Sequence, residues 1–106
     1  DLPIINEAAN KKSSNITLDY KYDDPADKNM IYYRSDHYNF AKKGVPILFF
    51  YDGMLLADYH KPTDTIEKIN FDLMQKRVTM IYYTACEIIN RDEMLKRDLK
   101  LNMPAR

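Results

Sequence analysis

Apolar and polar positions alternate along this chain in two different periods. In "PIINEAANKK", Ile4, Ile5, Ala8 and Ala9 stand at helical spacing, which predicts a helix over Leu2–Lys12. In "NITLDYKY", Ile16, Leu18 and Tyr20 alternate with Thr17, Asp19 and Lys21, the period of a half-buried strand. "DDPADKN" is a polar turn segment. "RSDHYNFAKKG" predicts a short helix, with Ser35 as N-cap and Gly44 as a C-terminal glycine at positive φ. "VPILFFY", Val45 to Tyr51, has no polar alternation and predicts a strand buried on both faces, with Pro46 at its start. "DGMLLADYHKP" then leaves that strand as a loop. "TDTIEKIN" opens a helical turn in which Asp64 and Glu67 have capping-box spacing. Phe71, Met74, Val78, Ile81, Ala85, Ile88 and Ile89 form one stripe at steps of three and four, the mark of a long amphipathic helix. Past Arg91 the pattern fades into a solvated helix end or fraying tail.

A buried apolar strand between amphipathic helices predicts an α/β fold. Open sheets of that class place ligand sites beyond the C-terminal ends of their strands, which puts the loop before His60 in the favoured position. The length, 106 residues, sets a ceiling of one domain with a thin core margin. Sixteen basic and sixteen acidic residues give zero net charge, so no basic excess exists to neutralise nucleic-acid phosphates. The charges are mixed along the chain, and no membrane-surface face or spanning run stands out. No secretory leader pattern stands at Asp1. Cys86 is the single cysteine, which excludes an intrachain disulfide and a thiolate cluster; its apolar setting predicts a buried thiol.

The densest chemistry lies in "ADYHKPTDT". A neutral imidazole such as that of His60 is a common zinc ligand, and a phenol such as that of Tyr59 can donate to a nearby oxyanion. Asp58 precedes them, Lys61 and Pro62 stiffen the exit, and Asp64 pins the next helix. One histidine is not a complete zinc site. Asp36 and His37, in "SDH", are candidates for a further ligand or for a partner that orients a metal-bound imidazole. Against this stands the ordinary reading, in which a loop histidine is solvated or hydrogen-bonded. The tyrosine pairs Tyr32–Tyr33 and Tyr82–Tyr83 read as amphipathic packing.

"YYRSDHYNFAKKGVPILFFYDG" followed by "DYHKPTDTIEKINF" resembles the C-terminal part of the M28 family of zinc-dependent aminopeptidases. The likeness runs from about Arg34 to Asn90. It implies the C-terminal portion of a three-layer zinc-exopeptidase fold, a mixed and mostly parallel sheet between helices. It implies a pair of zinc ions, with His60 as a ligand and Tyr59 placed to stabilise the tetrahedral intermediate. Asp36 would then lie behind the ligands or in the substrate pocket, with His37, Asp58 and Asp64 around it. In the family two zinc ions activate a bridging water and a glutamate acts as base. The chain holds no H-x-D motif and no E-E pair, so those further residues are absent from it. "DGMLLADYH" is also one residue longer and more apolar than the family's usual loop.

The resemblance therefore implies part of a zinc aminopeptidase, acting on the free N-terminal end of a peptide and inactive as this piece. It also implies a secreted or periplasmic parent. Two alternatives stand beside it: a glutaminyl-cyclase-like acyltransferase of the same fold, which uses one zinc ion, and a non-catalytic interaction module. A buried strand without neighbours also predicts self-association through strand pairing or swapping.

Overall fold

The computed structural model describes residues 1–24, 26–52 and 57–97. Three α-helices organise them: α1 (Leu2–Lys12), α2 (His37–Ala41) and α3 (Phe71–Ile89). Single 3-10 turns occupy Ile31–Tyr33 and Ile66–Lys68. Helix α1 packs on α3, and α2 packs on the first 3-10 turn.

Pro3 sits in the first turn of α1, where its missing N–H removes no helical bond. The Asp1 carbonyl accepts from the Ile5 N–H at 3.0 Å and starts the ladder. Lys11 and Lys12 occupy the last turn, where the helix dipole favours cations. The buried face of α1 is Leu2, Asn6, Ala9 and Asn10. It is not the Ile4 face that the apolar spacing selects; Ile4 is 74% exposed.

Each buried asparagine has a defined partner. The Thr84 hydroxyl on α3 donates to Asn6 Oδ1 at 2.9 Å, and the same hydroxyl lies 3.0 Å from the Met80 carbonyl. Asn10 clamps the chain that follows α1: its Nδ2 donates to the Ile16 carbonyl at 2.6 Å, and its Oδ1 accepts the Ile16 N–H at 2.9 Å. That clamp uses a side chain to do what a neighbouring strand would otherwise do for Ile16.

Asn70 caps α3, its Oδ1 accepting from the Leu73 N–H at 3.0 Å. Met80 and Thr84 are the buried positions of this helix. Phe71, Met74, Val78, Ala85 and Ile89 of the sequence stripe are exposed, and Ile81 and Ile88 are half-buried. The carboxylate of Asp1 accepts from the Lys96 N–H at 2.9 Å, so the segment after α3 is tied back to the start of α1. Residues 98–106, the rest of the sequence-predicted tail, lie outside the described residues.

Among the described residues no strand forms, and the expected mixed sheet of an α/β fold is not seen. The physical reason is specific. A strand is stable only when its main-chain groups pair with a neighbour, whereas a helix pairs its own. Residues 16–20 keep part of their alternation, with Ile16 and Leu18 half-buried and Thr17 and Asp19 exposed. Residues 47–51 are not buried on both faces: Phe49 and Phe50 are 39% and 36% exposed. Neither run finds a partner strand among the described residues.

Smaller corrections follow from the same structure. Asp36, not Ser35, stands at the N-cap of α2, and its side chain makes no capping bond there. Thr65, not Asp64, precedes the second 3-10 turn, so the Asp64–Glu67 spacing does not close a capping box. Cys86 is half-buried and free. Gly44 does take positive φ, at 75°. There the Val45 N–H reaches the Phe40 carbonyl at 3.2 Å and the Gly44 N–H reaches the Ala41 carbonyl at 2.9 Å, a Schellman closure of α2.

Candidate active-site loop

The loop from Ala57 to Asp64 is held by its own short-range bonds. The Lys61 N–H reaches the Asp58 carbonyl at 2.9 Å, and the Asp64 N–H reaches the Lys61 carbonyl at 3.1 Å. The Lys61 ammonium donates to the Ala57 carbonyl at 3.1 Å. Asp58 forms an ion pair with Lys68 at 2.7 Å, which fastens the loop to the 3-10 turn beyond it. Hydrogen bonds from Lys68 first, then from Thr63, hold the Asp58 carboxyl below its ordinary range.

Between these anchors Tyr59 and His60 are presented to solvent. Their rings stack at 3.9 Å between centroids and 20° between planes. Tyr59 is 51% exposed. His60 has φ 57°, the left-handed region. For a residue with a Cβ this conformation costs about 1–2 kcal/mol. Strain of this kind clusters at sites where a side chain must be aimed. The anchors on either side of His60 hold it there.

His37 is placed elsewhere. Its Nε2–H donates to the Tyr32 carbonyl at 2.7 Å, and its ring stacks on Phe49 at 4.2 Å and 16°. Its Nδ1 is buried without a hydrogen-bond partner. The ring lies in the wall of a cavity of about 490 Å³ between residues 16–20 and 47–52. Asp36 is exposed at the start of α2. The structure thus joins Tyr59 to His60 and Asp58 to Lys68, and no described contact joins His37 or Asp36 to that loop. Asp64 contributes a main-chain bond and no side-chain contact to the loop.

Lys68 and Phe49 are the partners that sequence reasoning missed. Lys68 carries a weak signal, an opposite charge ten residues from Asp58 across a proline turn. Phe49 carries none, because a histidine–phenylalanine stack has no spacing rule. The apolar tip of the loop, Gly53 to Leu56, lies outside the described residues.

The zinc pair that the sequence resemblance implies needs several donors brought together. Among the described residues no group of three histidine, cysteine, aspartate or glutamate side chains could hold a metal ion. Asp58 is already engaged by Lys68, which leaves His60 as one imidazole without companions. The residues present do not fit a zinc centre by themselves. No helix among the described residues is long and apolar enough to cross a membrane.

A family model described as Peptidase family M28 matches residues 4–85, from the first turn of α1 into the second half of α3. The chain belongs to peptidase family M28. No curated protein and no solved structure matched it.

Proposed function

We propose that this chain is one wall of the active site of a zinc-dependent aminopeptidase, a hydrolase acting on N-terminal peptide bonds. The observation that carries the reading is the enclosure of the Ala57–Asp64 loop, with its strained His60, inside the M28 match. His60 is assigned as a metal ligand and Tyr59 as the donor to the oxyanion of the tetrahedral intermediate. Asp58 and Lys68 position that pair by fixing the loop. Asp36 and His37 belong to the substrate side rather than to the ligand set. The chain alone does not hydrolyse peptides, because its single assigned ligand cannot hold the ion. The parent enzyme is secreted or periplasmic.

The test needs a longer, active protein that carries this chain. There, His60→Ala lowers zinc content and abolishes turnover of an aminoacyl p-nitroanilide. Tyr59→Phe lowers kcat by about 10²-fold and leaves zinc content unchanged. Unaltered zinc content in His60→Ala sinks the ligand assignment. Turnover by the 106-residue chain alone, with added zinc, sinks the claim that it is incomplete.

A further inference from the structure

One residue closes the turn that carries Tyr59 and His60. The Lys61 N–H donates to the Asp58 carbonyl at 2.9 Å, which makes Asp58–Lys61 a β-turn with Tyr59 and His60 at its centre. The Lys61 carbonyl accepts from the Asp64 N–H at 3.1 Å and opens a second turn, with Pro62 at the position where its fixed φ fits. The Lys61 ammonium runs back to the Ala57 carbonyl at 3.1 Å. The N–H, the carbonyl and the ammonium of Lys61 are thus all engaged within the loop. In the first turn Tyr59 keeps a negative φ while His60 takes 57°, the pattern of a type II turn. Gly or Asn is favoured at that third position, because a Cβ crowds the main chain there. The main-chain bond of the turn is open to any sequence, so it does not explain why histidine is held where glycine is preferred. Lys61 and Pro62 do. Pro62 disfavours the α region at Lys61, so the turn cannot relax into a helical one. The ammonium ties residue 61 to residue 57 across the strained position.

We propose that Lys61 is a positioning residue: its ammonium, closing residues 57–61 into a ring on the Ala57 carbonyl, keeps His60 in the left-handed region and sets the direction of its imidazole. The proposal rests on the peptidase reading for the purpose of that aim, and on the loop geometry alone for the aim itself. The ion pair of Asp58 with Lys68 is a different fastener. It ties the first residue of the turn to the 3-10 turn beyond it and does not span His60. A bond from an ammonium to a carbonyl is charge-assisted and stronger than a neutral one. Lys61 is exposed, so removing its charged end opens no cavity, and a change in the turn reports the lost bond.

NMR of the 106-residue chain, without metal or substrate, tests the proposal. Lys61→Met keeps an unbranched side chain and removes the donor, whereas Lys61→Arg keeps a donor. A positive φ brings the amide proton and Hα of one residue close together and gives a strong intraresidue NOE. In Lys61→Met that NOE at His60 should fall to the level of ordinary residues, and the ring-current shifts of the Tyr59–His60 pair should shrink, with helical circular dichroism unchanged. Lys61→Arg should restore both signals. In the unaltered chain, NOEs should join the Lys61 Hε protons to Ala57; their absence overturns the proposal whether or not a variant folds. In a longer, active protein that carries this chain, Lys61→Met should lower kcat about tenfold and leave KM near that of the parent, as a misaimed group does. An unchanged His60 NOE in Lys61→Met, an equal loss in Lys61→Met and Lys61→Arg, or an unaltered kcat overturns the proposal. Should the longer protein hydrolyse no peptide, the peptidase reading fails, and the NMR outcome still decides whether Lys61 holds His60.

Discussion

The helix pair α1–α3 and the slot between residues 16–20 and 47–52 are built from similar materials with opposite results. Each has apolar side chains and polar groups to satisfy. In the helix pair, the main-chain groups between the end turns of each helix are served by the helix, and the buried asparagines are served by Thr84 and by Ile16. In the slot, no main-chain hydrogen bond joins residues 47–51 to the other described residues. A helix can be completed within one segment; a strand cannot. The part of the protein that looks most core-like in sequence, the aromatic run at Ile47–Tyr51, is therefore more exposed than a helix face carrying two asparagines.

The largest expected effect breaks that comparison if it fails. Met80 is 2% exposed where α3 lines the slot and faces α1. Met80→Ala should cost about 2–5 kcal/mol in urea unfolding of the monomer. Phe49 is the larger side chain but 39% exposed, so Phe49→Ala should cost clearly less in the same dilute conditions. Equal losses would mean that the slot is closed in solution.

The next effect sharpens the comparison by testing a polar contact inside the helix pair. Thr84→Val keeps the shape of the side chain and removes the hydroxyl that donates to Asn6 Oδ1. Asn6 is 4% exposed, so its carbonyl oxygen is left without that donor. The expected loss is about 1–3 kcal/mol, read as a shift of the urea midpoint at unchanged slope. A midpoint within error of the parent would show that the buried asparagine finds water or another donor.

Helices were the legible part of this sequence, and the sheet was not. The bounds of α1 could be read from its spacing, and the start of α3 from its stripe, because helix signals are local: Pro3, Lys11, Lys12 and Asn70 act within a turn of themselves. The positive φ at Gly44 was legible for the same reason. Which face of each helix is buried was not legible. The apolar stripe of α3 from Phe71 to Ile89 is largely exposed, while Thr84 is buried, because burial depends on what else is present to pack against. The strands were read correctly as patterns and wrongly as elements, since pairing is a long-range property. At the loop, Tyr59 and His60 were legible as neighbours. The backbone strain at His60, the Asp58–Lys68 anchor and the His37–Phe49 stack were not, because none of them leaves a spacing in the sequence.

The smallest expected effect concerns the anchor that holds the loop. The carboxyl of Asp58 sits below its ordinary range because Lys68 and Thr63 hydrogen-bond to its charged form. A carboxyl lowered in the folded state contributes order that is present above the unfolded value, about 3.9, and is lost as pH falls through the folded value. The Asp58–Lys68 contact should therefore hold in neutral and mildly acidic solution, and its release should begin only below about pH 4. The pair lies at the surface, with the Lys68 side chain 51% exposed, so water and salt screen it. Global unfolding of Asp58→Asn should consequently match the parent, while the amide resonances of residues 58–64 move. Because the same anchor holds the strained backbone at His60, the Tyr59–His60 stack should loosen in Asp58→Asn at neutral pH. Ring-current shifts on the Tyr59–His60 pair, compared between Asp58→Asn and the parent at one neutral pH, check this, and a stack unchanged in Asp58→Asn would place the strain of His60 under the control of Lys61 and Ala57 instead.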